Sequence, residues 1–359
     1  MAYRVFPSGA DDTGRRLDKV ARRLLPGTKL GKVYAHIRKG RIRVNGRKRP
    51  SDYRICEGDA LQVDESMISC VDDQLTQNSR SKQSGPRVQG DNRRDLPQRS
   101  LEPAIVFENE HLLCINKPRG IDVHGKSSLD TWVKSYLSRE KPTSLSFRPG
   151  PVHRIDRNTT GVVFFGKTTW AQRRMSEYMR KGVPKKIYLA VLDGSLRSPT
   201  VWRDTLFRDE RTRRSGTIRS ASRVAHQTET TVGRALKRRP QSRARGQEAV
   251  TGVYPMLWTE EATLALCIIR SGKTHQIRAQ AGLHGHPLSG DTKYEGSNDS
   301  QGYMLHALAF ILPEYDKELG LHFAYAEPSE GVLERIGYRF GAIELERILE
   351  SVDQAAATV

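Results

Sequence analysis

The chain has few cysteines, a shortage of acidic residues and no long apolar run. Its 359 residues include four widely spaced cysteines, Cys56, Cys70, Cys114 and Cys267, with no C-x-x-C pair. Neither a disulfide framework nor a zinc site is therefore expected, and a reduced compartment is the default. No stretch approaches the roughly 18 apolar residues of a membrane span, and the first residues do not resemble a signal peptide. These absences predict a cytoplasmic protein without a membrane contact.

The shortage of acidic residues leaves a strongly basic protein. Lys and Arg total 60 against 41 Asp and Glu, which gives a formal net charge of +19. This balance favours a polyanionic partner, because each neutralised phosphate releases condensed counterions. Nucleic acid is the expected partner. The alternatives are a basic surface kept for solubility and attraction to anionic lipid.

The length allows two domains, and residues 14–64 have the pattern of a small α/β unit. Apolar spacing predicts one helix after residue 16 and a second over 31–39, which Gly40 ends. Residues 41–44 alternate polar and apolar side chains and close on Asn45-Gly46, a strong hairpin signal. A last strand is expected after the turn at 57–59.

This segment resembles the small RNA-binding domain first named from ribosomal protein S4. The resemblance implies a basic helix pair and a hairpin that present cations to RNA phosphates. The alternative is the solvated charged face of an ordinary small domain. The expected RNA contacts are Lys32, Arg38, Lys39, Arg41, Arg43, Arg47 and Lys48.

Residues 65–100 are rich in Ser, Gln, Asn, Gly and Pro, which predicts a flexible linker. From 101 to 345, strands are expected at 105–107, 111–116, 162–165 and 264–269. Helices are expected over Leu129–Leu137 and Thr169–Lys181. The order lacks a regular βα repeat, which favours an α+β domain with a mixed, largely antiparallel sheet.

A second polar segment, residues 203–246, lies inside this larger domain. It contains 13 Lys or Arg and 4 Asp or Glu. Low apolar content favours a basic insertion that is a loop or an extended arm and becomes ordered on RNA. The alternative is a disordered insertion without function.

Chemistry is concentrated in residues 153–161, which read HRIDRNTTG. Asp156 lies between Arg154 and Arg157, just before an apolar strand. An opposite charge nearby keeps a carboxylate ionised, which suits a nucleophile or a base better than a proton donor. The alternative is a structural ion pair in a loop.

Three further segments accompany it: NKPRGIDVH at 116–124, KKIYLAVLDG at 185–194, and SGKTHQIR at 271–278 followed by HGHPLSGD at 284–291. Together, and in this order, the four segments resemble the signature of the RluA-type pseudouridine synthases. The resemblance implies the synthase fold and the isomerisation of uridine to pseudouridine in structured RNA. Because that reaction has no net redox change, it requires no cofactor, metal or nucleotide.

The resemblance also implies roles for four residues. Asp156 would break the glycosidic bond, either by attacking the anomeric carbon or by removing a ribose proton. Arg154 would enter the RNA stack where the target base is flipped out. Tyr188 would stack on the uracil and is the candidate proton acceptor. Arg278 would pair with Asp156.

The chain departs from the family pattern at three positions. Asn158 replaces a commoner Asp, Gln280 stands where the family often has His, and Tyr303 stands where it often has Arg. None of these changes removes Asp156 or Tyr188, so activity is still expected.

Other functions fit the residues less well. Gly272-Lys273-Thr274 lacks the first glycine of a phosphate loop, since Cys267 occupies the position five residues before Gly272. The histidines at 275, 284 and 286 lack a carboxylate or a cysteine that would complete a metal site. A noncatalytic RNA-binding or ribosome-assembly factor does not explain why Asp156, Tyr188 and Arg278 are all present. An RNA-independent hydrolase does not explain the RNA-binding features.

The basic first domain and the Val123-His124-Gly125 sequence are most similar to the members that act on bacterial large-subunit rRNA. Transfer RNA remains an alternative substrate. A monomer is expected.

Overall fold

The computed structural model describes residues 2–68, 103–138, 144–209, 214–218, 246–341 and 345–358. The chain divides into two compact units. The first comprises Met1–Glu102, Trp132–Gly150 and Lys167–Trp170, and the second comprises Pro103–Thr131, Pro151–Gly166 and Ala171–Val359. None of the described helices is both long and apolar enough to cross a membrane.

The first unit contains a small sheet and two helices. Strands β1 (Tyr3–Pro7), β2 (Ile42–Val44) and β3 (Ala60–Asp64) form an antiparallel sheet in the order β1-β3-β2. Helices α1 (Leu17–Leu24) and α2 (Leu30–Lys39) supply core side chains such as Leu17 and Val33. The sheet begins before residue 14, because β1 pairs with β3 along its whole length.

Glycine and asparagine form the turns of this unit as the sequence predicts. Gly40 ends α2 in the left-handed conformation, with φ of 71°. Asn45 and Gly46 have φ of 52° and 75°, as a two-residue hairpin turn requires. The strand β2 nevertheless pairs with β3 rather than with a strand directly after the turn.

Most of the predicted linker lies outside the described residues. Its first residues, 65–68, form a helical turn. Met67 is buried there in the core of the first unit, and Ile68 packs against that core. The chain therefore stays in contact with the small domain slightly beyond the expected boundary at 64.

A large sheet dominates the second unit. Its strands are β4 (Ala104–Glu108), β5 (Leu112–Lys117), β6 (Gly150–Pro151), β7 (Thr160–Gly166), β8 (Lys185–Asp193), β9 (Thr200–Asp209), β10 (Arg214–Ile218), β11 (Gln247–Trp258), β12 (Ala262–Ile269), β13 (Leu305–Asp316) and β14 (Leu321–Tyr325). The remaining helices are α3 (Leu129–Leu137), α4 (Thr169–Lys181), α5 (Gln276–Leu283), α6 (Glu330–Phe340) and α7 (Leu345–Thr358).

The sheet is mixed and largely antiparallel, which confirms the predicted fold class. Its described order is β10-β9-β11-β12-β8-β13-β7-β5-β4, with β14 beside β13 and β6 beside β7. Along this order every pair is antiparallel except β13 and β7, which are parallel. That parallel pair lies in the middle of the sheet, next to the segment that carries Asp156.

Buried side chains pack on the sheet. Ile187, Leu189 and Val191 of β8 point into one apolar cluster, which Ile336 of α6 also joins. Ile348 and Val352, one turn apart on α7, complete this cluster. The core of the second unit therefore extends beyond the expected end at residue 345.

The beginning of the segment 203–246 forms strands instead of the expected loop or extended arm. Residues up to Asp209 continue strand β9, and Arg214–Ile218 form β10 beside it. Trp202 and Leu206 are buried on the inward face of β9, which also pairs with β11. Two apolar anchors four residues apart lie on the same face of a strand and hold it even where the flanking residues are charged. The prediction for 219–245 lies outside the described residues.

Candidate active site

Asp156 is held in a tight turn between β6 and β7. The backbone N–H of Thr159 donates to the carbonyl of Asp156 at 3.0 Å, and Thr159 is buried. The fully buried Lys117 stabilises the turn through Arg157. Its Nζ donates to the carbonyls of Pro118, Ile121 and Arg157 at 2.9 Å each. Hydrogen bonds of Thr159 and Arg157 thereby fix the turn directly after Asp156.

Gly161 allows the end of this turn to approach β13. Its φ is 106°, and a Cβ at this position would lie 2.1 Å from the carbonyl oxygen of Ala307. The approach brings the hydroxyl of Thr160 within 2.7 Å of Nδ1 of His306. Nε2 of His306 donates to the carbonyl of Ala326 at 2.7 Å, so Nδ1 is the acceptor. These contacts explain why glycine ends the motif.

Arg278 pairs with Asp156, as the sequence predicts. Its Nη1 lies 3.1 Å from Oδ2 of Asp156. Its Nε and Nη2 donate to the two carboxylate oxygens of Asp291 at 2.7 and 2.9 Å. Burial alone would lower the pKa of Arg278, but Asp291 and the other nearby charges raise it overall, so the guanidinium stays charged. Asp291 therefore orients the cation that holds Asp156.

The beginning of α5 positions this guanidinium. His275 caps the helix in the left-handed region, with φ of 54° and ψ of 28°, a conformation that costs a non-glycine residue about 1–3 kcal/mol. Nδ1 of His275 lies 2.8 Å from the hydroxyl of Tyr294, and Nε2 lies 3.7 Å from Oδ2 of Asp156. Burial lowers the pKa of His275 to about 4, although Asp156 opposes that shift. The imidazole is therefore neutral at pH 7.

Tyr188 lies in the same cleft as Asp156 and Arg278. The cleft has a volume of about 60 Å³, which is small for a ligand site. Tyr188 is 8% exposed. Burial and the charge of Asp156 both raise the pKa of its phenol, which keeps it protonated. Arg154 is exposed and also lines the cleft. The four residues that the motifs single out thus meet in one place.

Three residues of this site were not assigned a role from sequence. Lys117 and Asp291 lie within recognised motifs, but their partners are defined only by tertiary packing. Tyr303 is 5% exposed, and its ring lies beneath the Arg278 guanidinium, 4.2 Å from Cζ to the ring centroid. Burial raises the pKa of Tyr303 to about 12, although Arg278 opposes that shift.

The three histidines that might suggest a metal make separate contacts. His275 faces Asp156 and Tyr294, whereas His284 lies 3.1 Å from Asp204 and stacks on Trp202. Nδ1 of His286 lies 3.2 Å from the carbonyl of Asp193. Among the described residues, no three His, Cys, Asp or Glu side chains cluster as metal ligands.

Gln280, at a position where histidine is common, anchors the strand β9. Its Oε1 accepts from the hydroxyl of Thr251 at 2.6 Å. Its Nε2 lies within hydrogen-bond distance of Asp204 and of the carbonyls of Trp202 and Ala249. The amide therefore ties α5 to the base of the basic segment 203–246.

Most of the predicted RNA contacts in the first unit are exposed, but two are engaged in the domain. Arg41 donates to Asp64 at 2.8 Å. Arg43 donates to the carbonyl of Gly40 at 2.9 Å and lies over the ring of Tyr3. The exposed side chains are Lys32, Arg38, Lys39, Arg47 and Lys48.

Comparison with known proteins identifies two families that the chain resembles. A family model described as RNA pseudouridylate synthase matches residues 111–282, and an S4 domain model matches residues 15–61. The chain is 30% identical over 296 residues to the ribosomal large subunit pseudouridine synthase C of Pasteurella multocida (strain Pm70), covering 82% of this chain and 78% of the relative. The protein of that name from Salmonella typhi is 26% identical over 338 residues, covering 93% of this chain and 92% of the relative.

A solved structure, human RNA pseudouridylate synthase domain containing 4, has the same fold. It superposes with a TM-score of 0.50 at 23% identity, over 65% of this chain and 92% of that one. The chain belongs to the RNA pseudouridylate synthase family, which confirms the family predicted from the four motifs. It is an isomerase that acts on RNA, with an S4 domain at residues 15–61.

Proposed function

We propose that this synthase isomerises uridine in bacterial large-subunit rRNA and that Asp156 is its catalytic carboxylate. The observation that carries the proposal is the Asp156–Arg278 pair, 3.1 Å apart in a cleft that Tyr188 also lines. The names of the two relatives support rRNA over transfer RNA. We expect the enzyme to act in the cytoplasm as a monomer.

In this proposal Asp156 breaks the glycosidic bond of the uridine, as a nucleophile on the anomeric carbon or as a base on a ribose proton. The detached uracil rotates and rejoins the ribose through its C5, and a proton then leaves C5. Arg278 holds the carboxylate in position, because Asp291 fixes the other side of the guanidinium.

Tyr188 contributes a flat surface against the uracil. Its raised pKa makes the phenolate scarce at neutral pH, so stacking fits the residue better than accepting the C5 proton. Arg154 is exposed at the edge of the cleft, where a guanidinium could replace the flipped base in the RNA stack.

The first unit supplies additional RNA affinity in this proposal. We assign residues 14–64 to RNA binding, 65–100 to a linker, 101–345 to catalysis and 203–246 to a basic insertion that contacts RNA. Lys32, Arg38, Lys39, Arg47 and Lys48 have exposed cations for phosphates. Arg41 and Arg43 make weaker candidates, because their internal contacts already use part of each guanidinium.

The test replaces Asp156 with Asn, which removes the charge at nearly constant shape. Pseudouridine is mapped in rRNA and transfer RNA from cells that lack the gene and carry wild-type, Asp156→Asn or Glu318→Gln protein. Glu318 is an exposed carboxylate far from the catalytic motifs in sequence, and its variant should restore modification. An active Asp156→Asn protein contradicts the catalytic assignment, and a site restored only in transfer RNA contradicts the substrate.

A further inference from the structure

The ammonium of Lys186 is the unusual cation of the second unit. Lys186 lies on β8 between the neighbouring strands β12 and β13 and is 8% exposed. Within the described part of the chain, it makes no hydrogen bond and no ion pair. Burial and the nearby charge of Lys273 lower its pKa to about 8. The ammonium of a largely buried lysine without a protein acceptor is energetically unfavourable unless water or a ligand solvates it.

Two other buried cations of this unit are fully engaged. Lys117 donates to three carbonyl oxygens, and Arg278 contacts the carboxylates of Asp291 and Asp156. The fold therefore supplies acceptors to buried cations where their role is internal. The lack of an acceptor at Lys186 points to a group that comes from outside the protein.

Lys186 leaves β8 on the same side as the catalytic cleft, and its Nζ lies near Gly272. It precedes Tyr188 by two residues on β8, so both side chains leave the same face of the strand, whereas Ile187 points into the core. A methyl group at Gly272 would lie 3.3 Å from Nζ of Lys186. Gly272 and Lys273 line the cleft together with Asp156 and Tyr188. The missing side chain at Gly272 thus leaves room between the ammonium and the cleft.

We propose that Lys186 and Lys273, grouped around Gly272, form an anion subsite that binds one backbone phosphate of the RNA beside the nucleotide at Asp156. Phosphate is the anion that an RNA substrate presents at every nucleotide, and contacts to it fix the position of the chain. The subsite holds the backbone in place while the uracil is detached and rotates. This proposal rests on the placement of the target nucleotide at Asp156.

The test measures how the full-length protein binds uridine 3′,5′-bisphosphate and uridine, by calorimetry or NMR titration. Wild-type protein should bind the bisphosphate more tightly. Lys186→Met keeps the length of the side chain and removes its charge. It should weaken bisphosphate binding about tenfold, the lower end for a hydrogen bond to a charged group, and leave uridine binding unchanged. Equal bisphosphate affinity in the variant and wild type overturns the proposal.

Lys185→Met is the matched control. It removes the same charge one residue earlier, where the side chain leaves the opposite face of β8, and it should keep the wild-type preference for the bisphosphate. A preference lost equally in this control would show a general charge effect and overturn the subsite. If Lys186→Met does not fold, Lys273→Met provides the test. Lys273 is half-buried, and its replacement should also weaken bisphosphate binding.

The binding measurement separates this proposal from the catalytic one. An Asp156→Asn protein that remained active would remove the catalytic assignment without changing the phosphate preference. A wild-type protein without any phosphate preference would remove the subsite and leave the catalytic assignment untouched.

Discussion

The ring of Tyr303 packs against the guanidinium of Arg278, with 4.2 Å between Cζ and the ring centroid. The same guanidinium donates hydrogen bonds to the carboxylates of Asp291 and Asp156. A guanidinium can donate in its plane to Asp156 and Asp291 while its face rests on an aromatic ring. Tyr303 stands where the family often has arginine, and in this chain its ring packs against Arg278.

The aromatic ring, and not the hydroxyl, should therefore carry the role of Tyr303. Tyr303→Phe loses only the long 3.4 Å contact with Thr159 and should retain nearly full activity. Tyr303→Ala leaves Arg278 only the more distant ring of Tyr294, 5.3 Å from Cζ, and should lower kcat about tenfold, in line with the loss of a partly desolvated cation–π contact. Single-turnover rates on the substrate RNA measure both effects. Equal losses in the two variants would assign the role to the hydroxyl instead.

Removing the charge of Asp291 should disturb catalysis and stability together. Asp291→Asn breaks a buried bidentate pair with Arg278, which should reduce the free energy of unfolding by about 3 kcal/mol. The displaced guanidinium should lower kcat about 100-fold with little change in KM. Denaturant melts and steady-state kinetics test this. Asp299→Asn is the control, since its pairs with Arg335 and Arg339 are more exposed; an equal kcat loss there would contradict the prediction.

His306 should make the protein less stable in mild acid. Burial lowers its pKa from 6.5 to about 4, and Nδ1 is occupied as an acceptor for Thr160. Between these pH values the unfolded chain binds a proton that the folded chain does not, so the free energy of unfolding falls as pH falls. The loss should reach roughly 2–3 kcal/mol by pH 4.

The comparison variant is His306→Gln, which cannot take up this proton. Urea unfolding at pH 7 and pH 4 should show that the stability advantage of the wild type over the variant shrinks by that amount. His153, whose pKa burial lowers to about 3, contributes to both proteins alike and cancels in the difference. A constant advantage across this range would mean that His306 is not the titrating group.

Any side chain at Gly161 should prevent normal folding. A Cβ there meets the carbonyl of Ala307 at 2.1 Å, and φ of 106° is unfavourable for alanine. Gly161→Ala should therefore lose more than about 4 kcal/mol of stability or fail to fold. Gly337→Ala in α6, where a Cβ meets nothing within 4 Å, should instead gain about 0.5–1 kcal/mol. Thermal melts distinguish the two, and a wild-type melting temperature for Gly161→Ala would contradict the packing argument.

Much of the fold was predictable because the elements have strong local signals. The predicted bounds of α3 and α4 match the structure, since the apolar spacing of Leu129–Leu137 and Thr169–Lys181 is helical and continuous. Strand β9 was not predicted, because charged residues dominate the composition after residue 202. Its burial depends on pairing with β11 and on Gln280, which are distant in sequence.

The active site likewise contains contacts that the motifs predict and contacts that they do not. The pairing of Asp156 with Arg278 was expected from the motifs, and the structure has it. The buried partners Lys117, Asp291 and Tyr303 were not expected in these roles. The contacts of Asp291 and Tyr303 with Arg278, and of Lys117 with Arg157, join residues between 13 and 40 positions apart. They form only when strands and turns assemble, so no local pattern signals them.

The three carbonyl oxygens around Lys117 have a consequence for the substrate. They clamp the turn of Asp156 before any RNA is bound, so the protein has little freedom to adapt there. The distortion needed to bring a uridine to the carboxylate must then come from the nucleic acid. An enzyme that is rigid at this point should choose among uridines by how easily each one leaves its stack, and favour those that are already unpaired.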